Sequence, residues 1–137
     1  MPTLTFTAPI HAGQAEAWRR FTQELLGSQR PAHEASRRRL RVWHESVWLG
    51  EARAGELAIV QLEADDPHTL LARQAASELP FDRWFGDRWL GLTGCELGRA
   101  ARAGRLEHIF EWNAAERSAA EQNDRPTSGV EQKETIK

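Results

Sequence analysis

At 137 residues and 15.5 kDa the chain suits one domain of ordinary size, and folding should bury roughly two-thirds of the surface its unfolded form exposes. Eighteen basic residues against twenty acidic ones leave a net charge of −2. That is too weak a field to gather nucleic acid or an anionic membrane, so neither is an expected partner. No apolar stretch approaches the about 18 residues of a spanning helix, and the opening MPTLTFTAPI has neither the basic nor the apolar region of a secretory leader. The lone cysteine, Cys95, excludes an internal disulfide and a cysteine-built zinc site, which makes a reducing cytoplasm the expected location.

Six tryptophans stand beside no tyrosine. Indoles supply large apolar area with one N–H donor each, so they build a core, an interface or a pocket for a flat ligand. All but two of the basic residues are arginines, the exceptions being Lys133 and Lys137 at the extreme end. Schiff-base lysine chemistry is therefore absent from the folded region.

Residues 3–10 alternate Leu4, Phe6, Ala8 and Ile10 with threonines, a period of two that predicts a strand, and Pro9 marks its edge or end. Ala15, Trp18, Phe21, Thr22 and Leu25 then recur at helical spacing until Gly27. Pro31 opens a second helical stretch to about Leu40, making a broken helix. From Val42 the period returns to two. One phase places Trp43, Glu45, Val47 and Leu49 together, and the other places Val42, His44, Ser46 and Trp48 together. Residues 50–56 read as a hairpin connection and 57–63 as the return strand. Asp65, Asp66 and Pro67 start a helix to about Leu79, and Pro80 restarts one through FDRWFGDRWLGL. Two short stretches, 93–97 and 105–112, are compatible with strands. Residues 113–137 are polar, mix Pro, Gly, Ser and charge, and read as a disordered tail.

Strand, broken helix, hairpin, broken helix, strand is the βαββαβ order of a ferredoxin-like unit, an α+β fold, here spanning residues 1–112. Helices cover one face of such a sheet, whereas these hairpin strands carry apolar residues on both. The second face needs a partner. Two sheets packed face to face by two-fold symmetry, their strands wrapping into a shared barrel, provide it, so a homodimer is expected. In the competing monomer, residues 105–112 and the tail would cover the sheet.

Several strings carry a resemblance: Pro9-Ile10-His11-Ala12-Gly13 running into Glu16-Ala17-Trp18, EASRRRL at 34–40, SVWL at 46–49, LEADDP at 62–67 and FDRWF at 81–85. With the order of elements, they resemble the dimeric α+β barrel superfamily, which includes the antibiotic-biosynthesis-monooxygenase-like proteins, and most of all its small uncharacterised members. The resemblance spans residues 4 to about 97. It implies a dimeric barrel but no single reaction, because the superfamily holds cofactor-free oxygenases, haem-degrading oxygenases, isomerases and proteins without assigned activity. The Asn, Trp and His set of the haem-degrading branch has no matching positions here.

The densest chemical group is His33 and Glu34 followed by Arg37, Arg38 and Arg39. Helical spacing pairs His33 with Arg37 and Glu34 with Arg38. An Arg fork could hold a carboxylate, enolate or phenolate while His33 transfers a proton, or the same residues could form a solvated ion-pair network. On the following strand, His44, Ser46 and Trp48 share one phase and would line a pocket if that face looks beneath the helices. In the other phase Glu45, costly to bury unpaired, is functional, pairs with an Arg across the dimer, or lies at an exposed strand end. No His pair has metal-ligand spacing, and no GxGxxG, P-loop or G-x-S-x-G string occurs. No metal or cofactor is expected.

These observations lead to a small-molecule-binding dimer. Its pocket would be lined by Trp18, His44 and Trp48 with Glu45 and Arg38 assisting, and its mouth would carry His33 and Arg37. The expected ligand is small, apolar or aromatic, with one acidic group. The expected chemistry is cofactor-independent proton transfer leading to oxygenation, cyclisation or isomerisation, with His33 or His44 as base and Arg37 as oxyanion stabiliser. The alternatives are a non-catalytic binding or interaction module of the same fold and, as a third, a haem-handling protein.

Overall fold

The structure, a computed structural model, describes residues 2–115. In chain order its elements are β1 (Thr3–Pro9), α1 (Ala15–Leu26), α2 (Arg30–Arg39), β2 (Val42–Ala52), β3 (Gly55–Ala64), α3 (Pro67–Ala76), α4 (Pro80–Thr93) and α5 (Leu97–Ala103). The strands pair antiparallel in the order β1-β3-β2, with Phe6 opposite Val60 and Val60 opposite Val47.

Strand alternation decides which face is covered. On β1 and β3 every second side chain, including Phe6, Val60 and Leu62, is buried. These join the buried stripe of α1 (Trp18, Phe21, Leu25) and Phe85 and Trp89 of α4 in one core. Trp89 is its centre, edge-on to Trp18 at 5.7 Å and to Phe6 at 6.0 Å between ring centroids, a geometry in which the positive ring edge meets a negative face. The opposite sheet face carries Thr5 and Thr7, Ile59 and Gln61, and His44, Ser46 and Trp48. These positions are half-buried or exposed, as on an open sheet.

The two late strands expected from the sequence do not form among the described residues. Thr93 instead ends α4, with Gly94 at φ +75° in the left-handed region, and Leu97 opens α5, whose first turn is capped by Glu96 accepting the Arg99 N–H at 3.0 Å. Alanine, leucine and arginine in LGRAARA are good helix formers, and this local preference prevails over the short apolar alternation. The strand expected over 105–112 contracts to a single bridge between Arg105 and Phe6. It is flanked by the Thr7 N–H donating to Gly104 O at 2.9 Å and the Leu106 N–H donating to Thr5 O at 2.8 Å. This bridge lies on the edge of β1 where a ferredoxin-like unit places its fourth strand. Gly104 permits it: a Cβ there would stand 1.8 Å from Thr7 O.

Smaller differences concern turns. The hairpin tightens to Arg53 and Ala54, because Ala52 already pairs with Gly55, and α3 ends at Ala76, with Ser77 extended. Of the described residues, those up to 107 form one compact unit and those from 108 another. Within the second, His108 Nε2 lies 3.1 Å from Phe110 O and 3.6 Å from Glu111 Oε1. The polar tail lies, from residue 116, outside the described residues. No helix among the described residues is long and apolar enough to cross a membrane.

Candidate functional site

The site begins with an irregularity. Val42 pairs with Ala64 and His44 with Glu63, so Trp43 is an extra residue in the ladder, a β-bulge. Before it, Arg41 takes a left-handed φ of 59°. Both are anchored by Asp65, which accepts from Trp43 Nε1 at 2.7 Å and from Arg41 Nε. The bulge sets the phase of everything after it: Glu45, Val47 and Leu49 face the helices, and His44, Ser46 and Trp48 take the other phase.

Glu45 therefore meets α2. His33 and Arg37, four residues apart on one face of that helix, both reach it. His33 Nε2 lies 3.0 Å from Glu45 Oε1, Arg37 Nε donates to the same oxygen at 2.9 Å, and Arg37 Nη2 donates to Oε2 at 2.9 Å. The Arg–carboxylate contact is a parallel two-bond fork, the strongest geometry such a pair has. Burial disfavours the Glu45 charge, but the Arg37 charge, its fork and the His33 hydrogen bond together outweigh it and hold the carboxyl well below the usual carboxylate range. With Glu45 ionised, the proton of the His33–Glu45 bond belongs to His33 Nε2, and the lone pair of neutral His33 is on Nδ1.

Behind the pair stands a buried polar layer. Arg37 Nη1 donates to Gln74 Oε1 at 3.1 Å and to Ser36 Oγ at 3.3 Å, and its guanidinium stacks over Phe85 at 5.3 Å. Ser36 Oγ donates to the fully enclosed Asp82, which also accepts from Arg39. A charge as buried as Arg37 is tolerable only with such partners. Gln74 Nε2 and Trp89 Nε1 are buried without a hydrogen-bond partner among the described residues.

In front of the pair is a cavity of about 340 Å³ between α1, α2 and β2. Trp18, Leu25 and Val47 form much of its apolar wall, Trp48 one side, and His33, Glu45 and Arg19 its polar groups. A separate gap of about 20 Å³ within the core has room for one water and no ligand.

The structure thus brings together His33, Glu45, Arg37, Trp18 and Trp48, but with altered relations. His33 and Arg37 do not pair with each other; both converge on Glu45. Arg37 lies beneath the cavity instead of at its mouth, each of its three guanidinium nitrogens already engaged. Glu34 bonds Arg30 at 3.0 Å instead of Arg38, and Arg38 lies exposed, outside the cavity lining. His44 stands opposite Glu63 in the ladder and does not line the cavity. Sequence reasoning missed Arg19, Thr22 and Leu26 of the lining and Ser36, Gln74 and Asp82 of the support. Gln74 had a signal, a polar residue in the buried phase of α3 beside Leu70 and Leu71. Among the described residues no group of three or more His, Cys, Asp or Glu is placed to hold a metal ion.

Fold and site together define an α+β protein with a His–Glu–Arg cluster at the wall of a largely apolar cavity. A solved structure to which it is similar is tetracenomycin F2 cyclase from Streptomyces glaucescens, a type-II polyketide cyclase. The two share 18% identity and a TM-score of 0.51 over 84% of this chain and 100% of the cyclase chain. At that identity the likeness establishes the fold and leaves the activity open. No family model and no curated protein matches the sequence.

Proposed function

We propose that this protein is a small-molecule-binding homodimer of the cytoplasm in which each chain takes a largely apolar or aromatic compound with one acidic group into the cavity between α1, α2 and β2, and transfers a proton without a cofactor. The observation that carries this reading is the His33–Glu45–Arg37 cluster opening on a cavity of about 340 Å³, within the roughly 300–1,000 Å³ of small-molecule sites. His33 Nδ1 is the base. Glu45 holds the ring by Nε2 and stabilises the imidazolium formed when Nδ1 takes a proton from an activated carbon acid or hydroxyl, the opening step of a cyclisation or isomerisation. Arg37 serves as a positioning residue through Glu45, and Arg19 at the rim offers the cation for the acidic group. The shared fold with a polyketide cyclase is compatible with this chemistry.

A second reading, a non-catalytic binding module, is favoured by one observation: every guanidinium nitrogen of Arg37 has a partner inside the protein, so the network ties β2 to α2 whether or not a ligand is turned over. Native mass spectrometry of the protein purified from its own cytoplasm, followed by turnover of the retained compound, separates the two. The catalytic reading expects a dimer with a discrete added mass and a turnover lost in His33→Ala. Turnover unchanged by that substitution rejects His33 as the base, and a bound compound that is never converted supports the module.

A further inference from the structure

A second cavity, of about 240 Å³, lies between the N-terminal end of α3, α5 and the start of β1. Leu4, Leu71 and Ala101 contribute an apolar floor, and His68, Arg102 and Arg105 bring three basic side chains to it from three segments of the chain; no carboxylate lines it. Arg19, Arg30, Arg39, Arg41 and Arg88 each reach a carboxylate, whereas Arg102 and Arg105, like Arg20, Arg38, Arg53, Arg73, Arg83 and Arg99, have no ion-pair partner among the described residues. The chain is acidic overall, so this positive spot is local.

The end of α3 adds backbone donors. Asp66 occupies the N-cap without bonding the helix N–H groups, its carboxylate accepting instead from Thr69 Oγ1 at 2.9 Å, and Pro67 brings no N–H of its own. The other acid at this end, Asp65, is held by Arg41 and Trp43. The first-turn amides of His68 and Thr69 are thus left without a side-chain cap, a positively polarised end that favours an anion. On α5, Gly98 lines the cavity between Glu96 and Arg102: a Cβ there would stand 3.6 Å from the Glu96 carboxylate and 3.7 Å from Arg102 Nη1. The Glu96 carboxylate is bonded to the Arg99 N–H.

We infer that this cavity is a second binding site, for a small molecule with one carboxylate or phosphate group and a short apolar body, the anionic group held by Arg102 and Arg105 and the body by Leu4, Leu71 and Ala101. The volume lies below the roughly 300 Å³ at which drug-sized pockets begin, which limits the body to a few carbons. Nothing here depends on the chemistry proposed for His33.

The test is a backbone-amide NMR titration of the full chain at constant ionic strength with sodium butyrate, butyl phosphate and inorganic phosphate. The site is supported by saturable shifts at His68, Thr69, Arg102 and Arg105 with either butyl compound. The one that saturates first identifies the head group, and weaker binding of inorganic phosphate confirms the apolar body. Arg102→Gln and Arg105→Gln should each weaken binding about tenfold, the loss of one charge-assisted hydrogen bond, and His33→Gln should leave it unchanged. The inference is overturned if no shift saturates, or if the double Arg variant, with its dispersed spectrum intact, binds as tightly as the parent.

Discussion

Glu45 concentrates the electrostatics of the site in one carboxyl group, and its pH behaviour follows from the direction of its shift. Its folded pKa lies below the ordinary value of 4.5. The stabilisation it provides is therefore complete above about 4.5 and is lost as pH falls toward the folded value. Acid unfolding followed by urea titration should show stability declining below pH 4.5, with a flatter decline in Glu45→Gln. At pH 7 that variant leaves Arg37 buried and uncompensated, so a loss of about 3–5 kcal/mol is expected from its urea midpoint. A loss below about 1 kcal/mol would mean that Arg37 reaches solvent. Gly94 makes a second prediction at this scale. Its φ is +75°, and a Cβ would stand 2.6 Å from the His11 ring, so Gly94→Ala should cost about 1–2 kcal/mol from conformation alone and more from the clash. The double variant with His11→Ala should recover the clash component only.

At the scale of elements, the edge of β1 is held by three residues in place of a full strand. Gly104→Ala cannot keep the 104–106 pairing, because the new methyl group would occupy the position of Thr7 O. Hydrogen exchange at the Thr7 and Leu106 amides should accelerate toward the unprotected rate while the β2–β3 amides keep their protection. Retained protection at Thr7 would show that α5 can shift to accommodate the methyl. Helix α2 illustrates why spacing alone misassigned partners. The i, i+4 rule correctly placed His33 and Arg37 on one face, but a carboxylate arriving from β2 in fixed geometry is a better partner for both than either is for the other.

Residues 2–107 taken by themselves leave one sheet face open, with Ile59 and Trp48 directly opposite each other on it. Trp48 is 48% exposed, while Trp18 and Trp89 are almost fully enclosed, so the indoles divide between core and surface. The proposed homodimer covers this face. Sedimentation should give twice the 15.5 kDa chain mass, and Ile59→Glu, which sets a charge at the centre of the face, should sediment as a monomer with its helical content unchanged. A parent protein that sediments as a monomer would remove the barrel from the proposal.

The amino-acid sequence by itself determined the elements whose pattern is local: β1 from its alternating threonines, α1 from its apolar stripe, α2 and α4 from their prolines, and the β2–β3 hairpin from two short apolar runs around a small turn. It also placed His33 and Arg37 side by side. Only the tertiary structure decided what they meet. The phase of β2 turns on a single bulged residue, Trp43, anchored by Asp65 some twenty residues away, and periodicity carries no trace of such a long-range anchor. That anchor puts Glu45 beneath the helices and His44 on the open face. The strand expected over 93–97 failed for a related reason: the helix cap at Glu96 and the alanine-rich run after it outweighed a pattern that could be realised only through a distant pairing.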